Sequence, residues 1–143
     1  MQLQTICRSA ALAFLGACTG ALAAPASAPH AAACVAALKA QENQLAETLR
    51  AGEPVEPQLL NVVRSGIAII GTQYLAGLRE AEARELLHAA EVDFQALSPA
   101  LAQERQAQCL HEGETLYQQA SALERSLITT AAQRRIRRLT SNS

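Results

Sequence analysis

The sequence predicts an all-α protein, a small antiparallel bundle of about four helices closed by a Cys34–Cys109 disulfide. Apolar residues recur at spacings of three and four and nowhere alternate for long, which is the helical period. Proline, glycine and serine interrupt this pattern at a few places. About 120 residues remain after an N-terminal export signal, which is enough for one domain with one core.

The first helix is predicted from about Ala31 to Ala51. Gly52 is placed to cap its C-terminal end, and the loop EPVEP then stops the helix with two prolines. Its apolar face carries Cys34, Leu38, Leu45 and Leu49.

Residues 57–97 form either one long helix or two helices with a turn near Gly77. A single helix would leave Cys34 and Cys109 separated by roughly 20 Å along the axis. A turn near Gly77 lets a third helix, Glu80 to Leu97, run beside the first and brings the two cysteines to similar levels. Bridged cysteines need Cα atoms within about 7 Å, so the two-helix arrangement is the one consistent with a bond.

Ser98 and Pro99 mark the start of the last helix, a capping serine followed by proline at the first helical position. Its apolar residues continue at helical spacing, and the helix is predicted to run as far as Leu139. This face carries Cys109, Gly113, Leu116, Ala120, Leu123 and Leu127.

The N-terminus has the three parts of a secretory signal: one positive charge, a short apolar run and a small-residue cleavage site. Residues 1–23 are the predicted signal peptide, residues 24–30 a short linker and residues 31–143 one helical domain with a basic end. The alternative is a lipoprotein signal over residues 1–17, because Leu15-Gly16-Ala17-Cys18 resembles a bacterial lipobox and Cys18 would then be lipidated. Neither version leaves a transmembrane span in the mature chain.

Cysteine usage points to one disulfide. Cys7 leaves with the signal, and Cys18 is either removed or acylated. Cys34 and Cys109 then remain in an oxidising compartment, where two thiols are most simply explained as a bonded pair. The alternative is two separate buried thiols that act as small hydrophobic residues.

Composition and charge exclude some partners. The chain has no tryptophan, 3% aromatic residues and a net charge of −1, so stacking platforms for bases are scarce and nucleic acid is not an expected partner. All 13 acidic residues precede Arg125, whereas the chain from Arg125 onward holds five arginines. This basic end either complements the negative end of the last helix or contacts anionic lipid heads, lipopolysaccharide or an acidic protein. The candidate contact residues are Arg134, Arg135, Arg137 and Arg138.

One motif on the third helix has metal-ligand chemistry. Glu85, His88 and Glu91 fan over one face of that helix and resemble half of the Glu-x-x-His pattern of ferritin-like di-iron bundles. That family needs a second such motif and two further inward glutamates. Because the apolar face carries Leu87, Ala90, Phe94 and Leu97, these three side chains are predicted to form a solvated face, with a metal site as the alternative.

Other chemical signals are weaker. His111 and Glu112 lie near Cys109, but a Cys/His nucleophile would need a free thiolate, which the disulfide excludes. The chain has no Cys-x-x-Cys-His, and its single methionine is Met1, so haem attachment is not expected. No cofactor is predicted. His30 carries no specific signal, and Gly66, Gly71 and Gly77 are expected to let another helix approach closely, inside this bundle or from a partner.

The sequence therefore predicts an exported, non-enzymatic helical protein that serves protein–protein interaction or an accessory role. The periplasm is the expected location, with attachment to the membrane through Cys18 as the alternative. The expected partner is another envelope protein or an anionic envelope surface. The alternative function is a small-ligand or metal-binding bundle around Glu85, His88 and Glu91.

Overall fold

The computed structural model describes residues 26–141, which form five helices and no strands. The helices are α1 (Ala28–Arg50), α2 (Glu56–Leu75), α3 (Glu80–Gln95), α4 (Pro99–Gln119) and α5 (Ala122–Ser141). The all-α prediction is confirmed, and the expected number of about four helices is corrected to five. The predictions for the export signal, Cys7 and Cys18 fall on residues 1–25, outside the described residues.

Helix α1 begins one turn earlier than the sequence pattern indicated. The Ser27 side chain accepts a hydrogen bond from the His30 backbone N–H at 3.4 Å, and a proline occupies the first turn. Residues 28–30, predicted as linker, are therefore helical. At the other end, Gly52 has a φ of +93° and donates its N–H to the Leu49 carbonyl at 3.0 Å, which confirms the predicted cap.

Residues 57–97 form two helices, so the alternative of one long helix is wrong. Gly77 has a φ of +99° and donates its N–H to the Tyr74 carbonyl at 3.0 Å, which ends α2. Helix α3 then packs against α1, as the disulfide argument required.

The predicted last helix is divided into α4 and α5, and this break gives the fifth helix. Ala120 is extended, with φ −64° and ψ 150°. Ser121 then begins a capping box: its backbone N–H donates to Glu124 Oε2 at 2.7 Å, and its hydroxyl accepts from the Glu124 N–H at 3.3 Å. These two bonds satisfy the first amide groups of α5, so the chain starts a new helix without glycine or proline.

The core has two parts, both built on α1 and α2. The first part also contains Cys109 of α4, packed with Cys34, Leu38 and Ile69. The second part contains Ala132 and Ile136 of α5, packed with Ala46, Leu59 and Val63. The break at Ala120 therefore lets two short helices cover two different regions of the α1–α2 pair.

Helices α2 and α4 pack tightly against each other at Gly113. A Cβ atom at this position would lie 2.5 Å from the Cβ of Ser65 and 2.7 Å from its carbonyl oxygen. By contrast, a Cβ at Gly66, Gly71 or Gly77 would meet nothing within 4 Å. The predicted close approach of another helix of this bundle at those three glycines is therefore wrong, whereas the alternative of an approach by a partner stays a prediction.

A helix that crosses a bilayer needs about 20 consecutive, mostly apolar residues. Among residues 26–141, no helix is both long and apolar enough to cross a membrane.

Candidate functional site

The predicted cysteine pair joins α1 to α4. Cys34 and Cys109 are bonded, with their Cα atoms 5.0 Å apart and a separation of 75 positions in the sequence. Each residue is only 1% exposed, and both belong to the first part of the core. The structure thus confirms that these two cysteines lie at disulfide distance.

Two polar side chains lie beside this disulfide. His30 Nε2 and Glu112 Oε2 are 2.8 Å apart, and each lies 3.8 Å from Cys34 Sγ. His30 precedes Cys34 by one turn of α1, and Glu112 follows Cys109 by about one turn of α4, so each side chain stacks on the face that carries its cysteine. The spacings from His30 to Cys34 and from Cys109 to Glu112 can be seen in the sequence. They do not show that His30 and Glu112 meet, because that depends on the disulfide that aligns α1 with α4.

A cavity of about 610 Å³ borders the His30–Glu112 pair. His111 lines this cavity too, together with Thr72 and Gln73 of α2. A Cys109–His111 nucleophile pair is not available, because the sulfur of Cys109 is bonded to Cys34.

The proposed metal motif of α3 faces outward. Glu85 and His88 are exposed, and Glu91 is half-buried in an ion pair with Lys39 Nζ at 2.5 Å. Within residues 26–141, one group of three potential metal ligands has its donor atoms within 4.8 Å of one another. It consists of His30, Cys34 and Glu112. A metal on the α3 motif would require Glu91 to leave Lys39.

A polar cluster joins α2, α4 and α5. Arg64 lies 4.7 Å from the centre of the Tyr117 ring and donates to Asn61 Oδ1 at 3.5 Å, while Asn61 donates to Glu114. The hydrogen bond between Tyr117 and Thr129 lowers the pKa of the tyrosine against the opposing effect of burial, and the charge of Arg64 lowers this pKa further. The hydrogen bond between Tyr117 and Thr129 joins α4 to α5.

Three of the four predicted contact arginines lie on one exposed face of α5. Arg134, Arg137 and Arg138 line a shallow cavity with Ala131 and Ser141, and no salt bridge within residues 26–141 involves these arginines. At about 100° per residue, they share a line along the helix with the exposed Leu123 and Leu127. We call this line the outward stripe of α5, composed of Leu123, Leu127, Thr130, Ala131, Arg134, Arg137, Arg138 and Ser141.

The fourth arginine of that group has a different environment. Arg135 donates its Nε–H to Glu42 Oε1 at 2.6 Å, and Glu42 is buried on α1. Because Arg135 compensates a buried carboxylate, it holds α5 on the bundle and is not part of the outward stripe.

An apolar groove lies beside the leucine end of the outward stripe. It has a volume of about 400 Å³ and is lined by α2, α4 and α5, with Ile67, Gly71, Leu75, Leu116 and Leu127 among its residues. Leu75 is 84% exposed, Leu123 70% and Leu127 62%, so these side chains are not part of the core. The outward stripe is thus apolar at its N-terminal end and basic at its C-terminal end.

No protein-family model, curated protein or solved structure matches this chain. Its function therefore has to be inferred from its own residues and geometry.

Proposed function

We propose that this chain is an exported, non-enzymatic helical protein of the cell envelope that binds another envelope protein through the outward stripe of α5. The observation that carries the proposal is the exposure of Arg134, Arg137 and Arg138 on the same face as Leu123 and Leu127. Three cations without a salt bridge in the described chain favour an acidic partner. Exposed leucines beside an apolar groove favour a partner that also buries apolar side chains.

Export is supported by two independent features of the chain. The first 23 residues carry the pattern of a secretory signal. The bond between Cys34 and Cys109 is typical of proteins that fold in an oxidising compartment. Together they support the periplasm as the location, with a lipid anchor at Cys18 as the alternative.

The leucines and the arginines of the outward stripe are separated along the length of α5. This separation favours a protein over a lipid surface as the partner. A helix that lies in a membrane interface carries apolar and basic residues along its whole length, on opposite sides. In α5 both kinds share one stripe, and Leu123 and Arg138 are about 22 Å apart along the axis. This order suits a partner segment with apolar residues at one end and acidic residues about 10–22 Å further on.

The experiment is site-specific photo-crosslinking in the native envelope. A photoreactive residue replaces Ala131, at the centre of the outward stripe, and in a matched control it replaces the exposed Ala81 of α3. We expect one cross-linked protein from position 131 and none from position 81. That species should carry an acidic segment and disappear when Arg134→Glu and Arg138→Glu are introduced together.

Two controls make the result decisive. Arg79→Glu with Arg84→Glu changes the net charge by the same amount at the start of α3 and should leave the cross-link intact. Vesicles that contain phosphatidylglycerol test a lipid surface directly. Vesicle binding that depends on Arg134 and Arg138 would identify anionic lipid as the partner in place of a protein. The absence of a cross-link from position 131, or its survival after charge reversal on α5, would overturn the proposal.

A further inference from the structure

We propose that reduction of the Cys34–Cys109 bond creates a Zn²⁺ site whose four ligands are the two thiolates, His30 and Glu112. The inference does not depend on the proposed function, because it rests on the surroundings of the disulfide alone. The donor atoms of His30, Cys34 and Glu112 lie within 4.8 Å of one another, and Cys109 is bonded to Cys34. Two sulfurs, one imidazole nitrogen and one carboxylate oxygen form a ligand set that suits Zn²⁺.

The distances around Cys34 fit a tetrahedral ion. With Zn–S bonds of about 2.3 Å and Zn–N or Zn–O bonds of about 2.1 Å, the edges from sulfur to nitrogen or oxygen are about 3.6 Å. The distances from Cys34 Sγ to His30 Nε2 and to Glu112 Oε2 are both 3.8 Å. The nitrogen and oxygen, now 2.8 Å apart, would separate by about 0.6 Å, and the two sulfurs, which are bonded in the oxidised chain, would separate to about 3.8 Å after reduction.

The reaction needs a dithiol reductant, such as a thioredoxin-like protein. Its two thiols become a disulfide, and the two electrons and two protons that they lose convert the Cys34–Cys109 bond into two thiols. Binding of Zn²⁺ then displaces these two protons, so the ion is held by thiolates. A protein disulfide that accepts two electrons, and is itself reduced to a dithiol, re-forms the Cys34–Cys109 bond, which removes both sulfur ligands and releases the ion.

The ion can enter from the solvent side of the disulfide. The side chain of His30 is 50% exposed and that of Glu112 is 31% exposed, whereas both cysteines are buried. The cavity of about 610 Å³ opens onto the same two side chains. The two thiolates would therefore lie on the protein side of the ion, and His30 and Glu112 would close the site toward solvent.

The test uses the full chain with Cys7→Ser and Cys18→Ser, reduced by a phosphine and titrated with Co²⁺ as a spectroscopic probe. We expect one equivalent to bind, with the visible bands of tetrahedral cobalt and a thiolate-to-cobalt charge-transfer band in the near ultraviolet. Zn²⁺ should displace the cobalt. The oxidised chain should show neither band.

The variants test the two ligands that are not cysteines. His30→Ala and Glu112→Gln should each weaken Co²⁺ binding by at least about tenfold. His111→Ala, in the same cavity wall, should have no effect. Circular dichroism of each reduced chain establishes that the helices persist. The absence of a charge-transfer band, equal affinity of His30→Ala and His111→Ala, or cobalt binding by a reduced chain that has lost its helices would each overturn the proposal.

Discussion

Arg135 and Glu42 form an ion pair that joins the basic end of α5 to the interior face of α1. Its Nε–Oε1 distance is 2.6 Å, and Glu42 is only 5% exposed although it is formally charged. The pair lines a small pocket whose other walls are mostly apolar, with Val35, Leu38 and Val62 among them.

Arg135→Leu should lower the free energy of unfolding by about 1–3 kcal/mol, because it leaves the Glu42 carboxylate without its donor. This range lies below that of a fully buried pair, since the Arg135 side chain is 42% exposed. Arg134→Leu, on the outward stripe, should change the free energy by less than about 0.5 kcal/mol. Urea denaturation measures both, and equal effects would contradict the structural role of Arg135.

The double variant Glu42→Leu with Arg135→Leu is compared with the single variants Glu42→Leu and Arg135→Leu in a double-mutant cycle. Replacing a buried ion pair with apolar residues is often neutral or stabilising. We therefore expect the double variant to recover most of the stability lost by Arg135→Leu. A double variant less stable than either single variant would show that the two side chains act independently.

Gly113→Ala should destabilise the fold by about 1–3 kcal/mol or more, because its Cβ would overlap Ser65. Gly66→Ala is the matched control, since its Cβ would meet nothing within 4 Å. Alanine is also the better helix former, so Gly66→Ala should stabilise the chain by up to about 1 kcal/mol. Thermal denaturation of the two variants should therefore shift in opposite directions.

Removal of the disulfide by Cys34→Ser with Cys109→Ser should lower the free energy of unfolding by about 4 kcal/mol in the chain-entropy model. The closed loop spans 75 positions, so the bond restricts most of the unfolded chain. Urea denaturation in the presence of a chelator measures the loss. A difference below about 1 kcal/mol would contradict a stabilising role for the bond.

The capping box of α5 predicts a pH dependence. Hydrogen bonds from the side chain and backbone of Ser121 lower the pKa of Glu124 in the folded chain. Its stabilising effect is therefore complete above the ordinary glutamate pKa of about 4.3 and is lost as the pH falls through the lower folded value. The stability difference between the native chain and Glu124→Gln should shrink across this window. A constant difference from pH 6 to pH 3 would contradict the assignment.

The positions of most helix ends could be predicted from the sequence. Gly52, Gly77 and the Ser98-Pro99 pair all lie where the structure ends or begins a helix. The break at Ala120 was missed because no glycine or proline marks it and the apolar spacing continues across it. The Ser121-x-x-Glu124 spacing was the available signal, and it acts through two hydrogen bonds that compete with a continuous helix.

The candidate functional surfaces were less predictable because they depend on the register between helices. The run of arginines was recognisable, but the position of Arg135 opposite Glu42 follows from the break that redirects α5. His30 gave no signal alone, since its partner Glu112 lies 82 positions away on another helix. Cysteine usage predicted the bond, and the bond in turn brings these two side chains together.

Export of the chain and its closure by the Cys34–Cys109 bond can be tested in one experiment. The most direct test is the intact mass of the protein recovered from its native cell envelope, measured with and without reductant. We predict a chain that begins at Ala24 and is lighter by two hydrogens before reduction. A chain that begins at Cys18 with added acyl groups would keep export and the bond but establish the lipid anchor. A chain that retains Met1 would contradict export. A mass that does not change on reduction would contradict the Cys34–Cys109 bond.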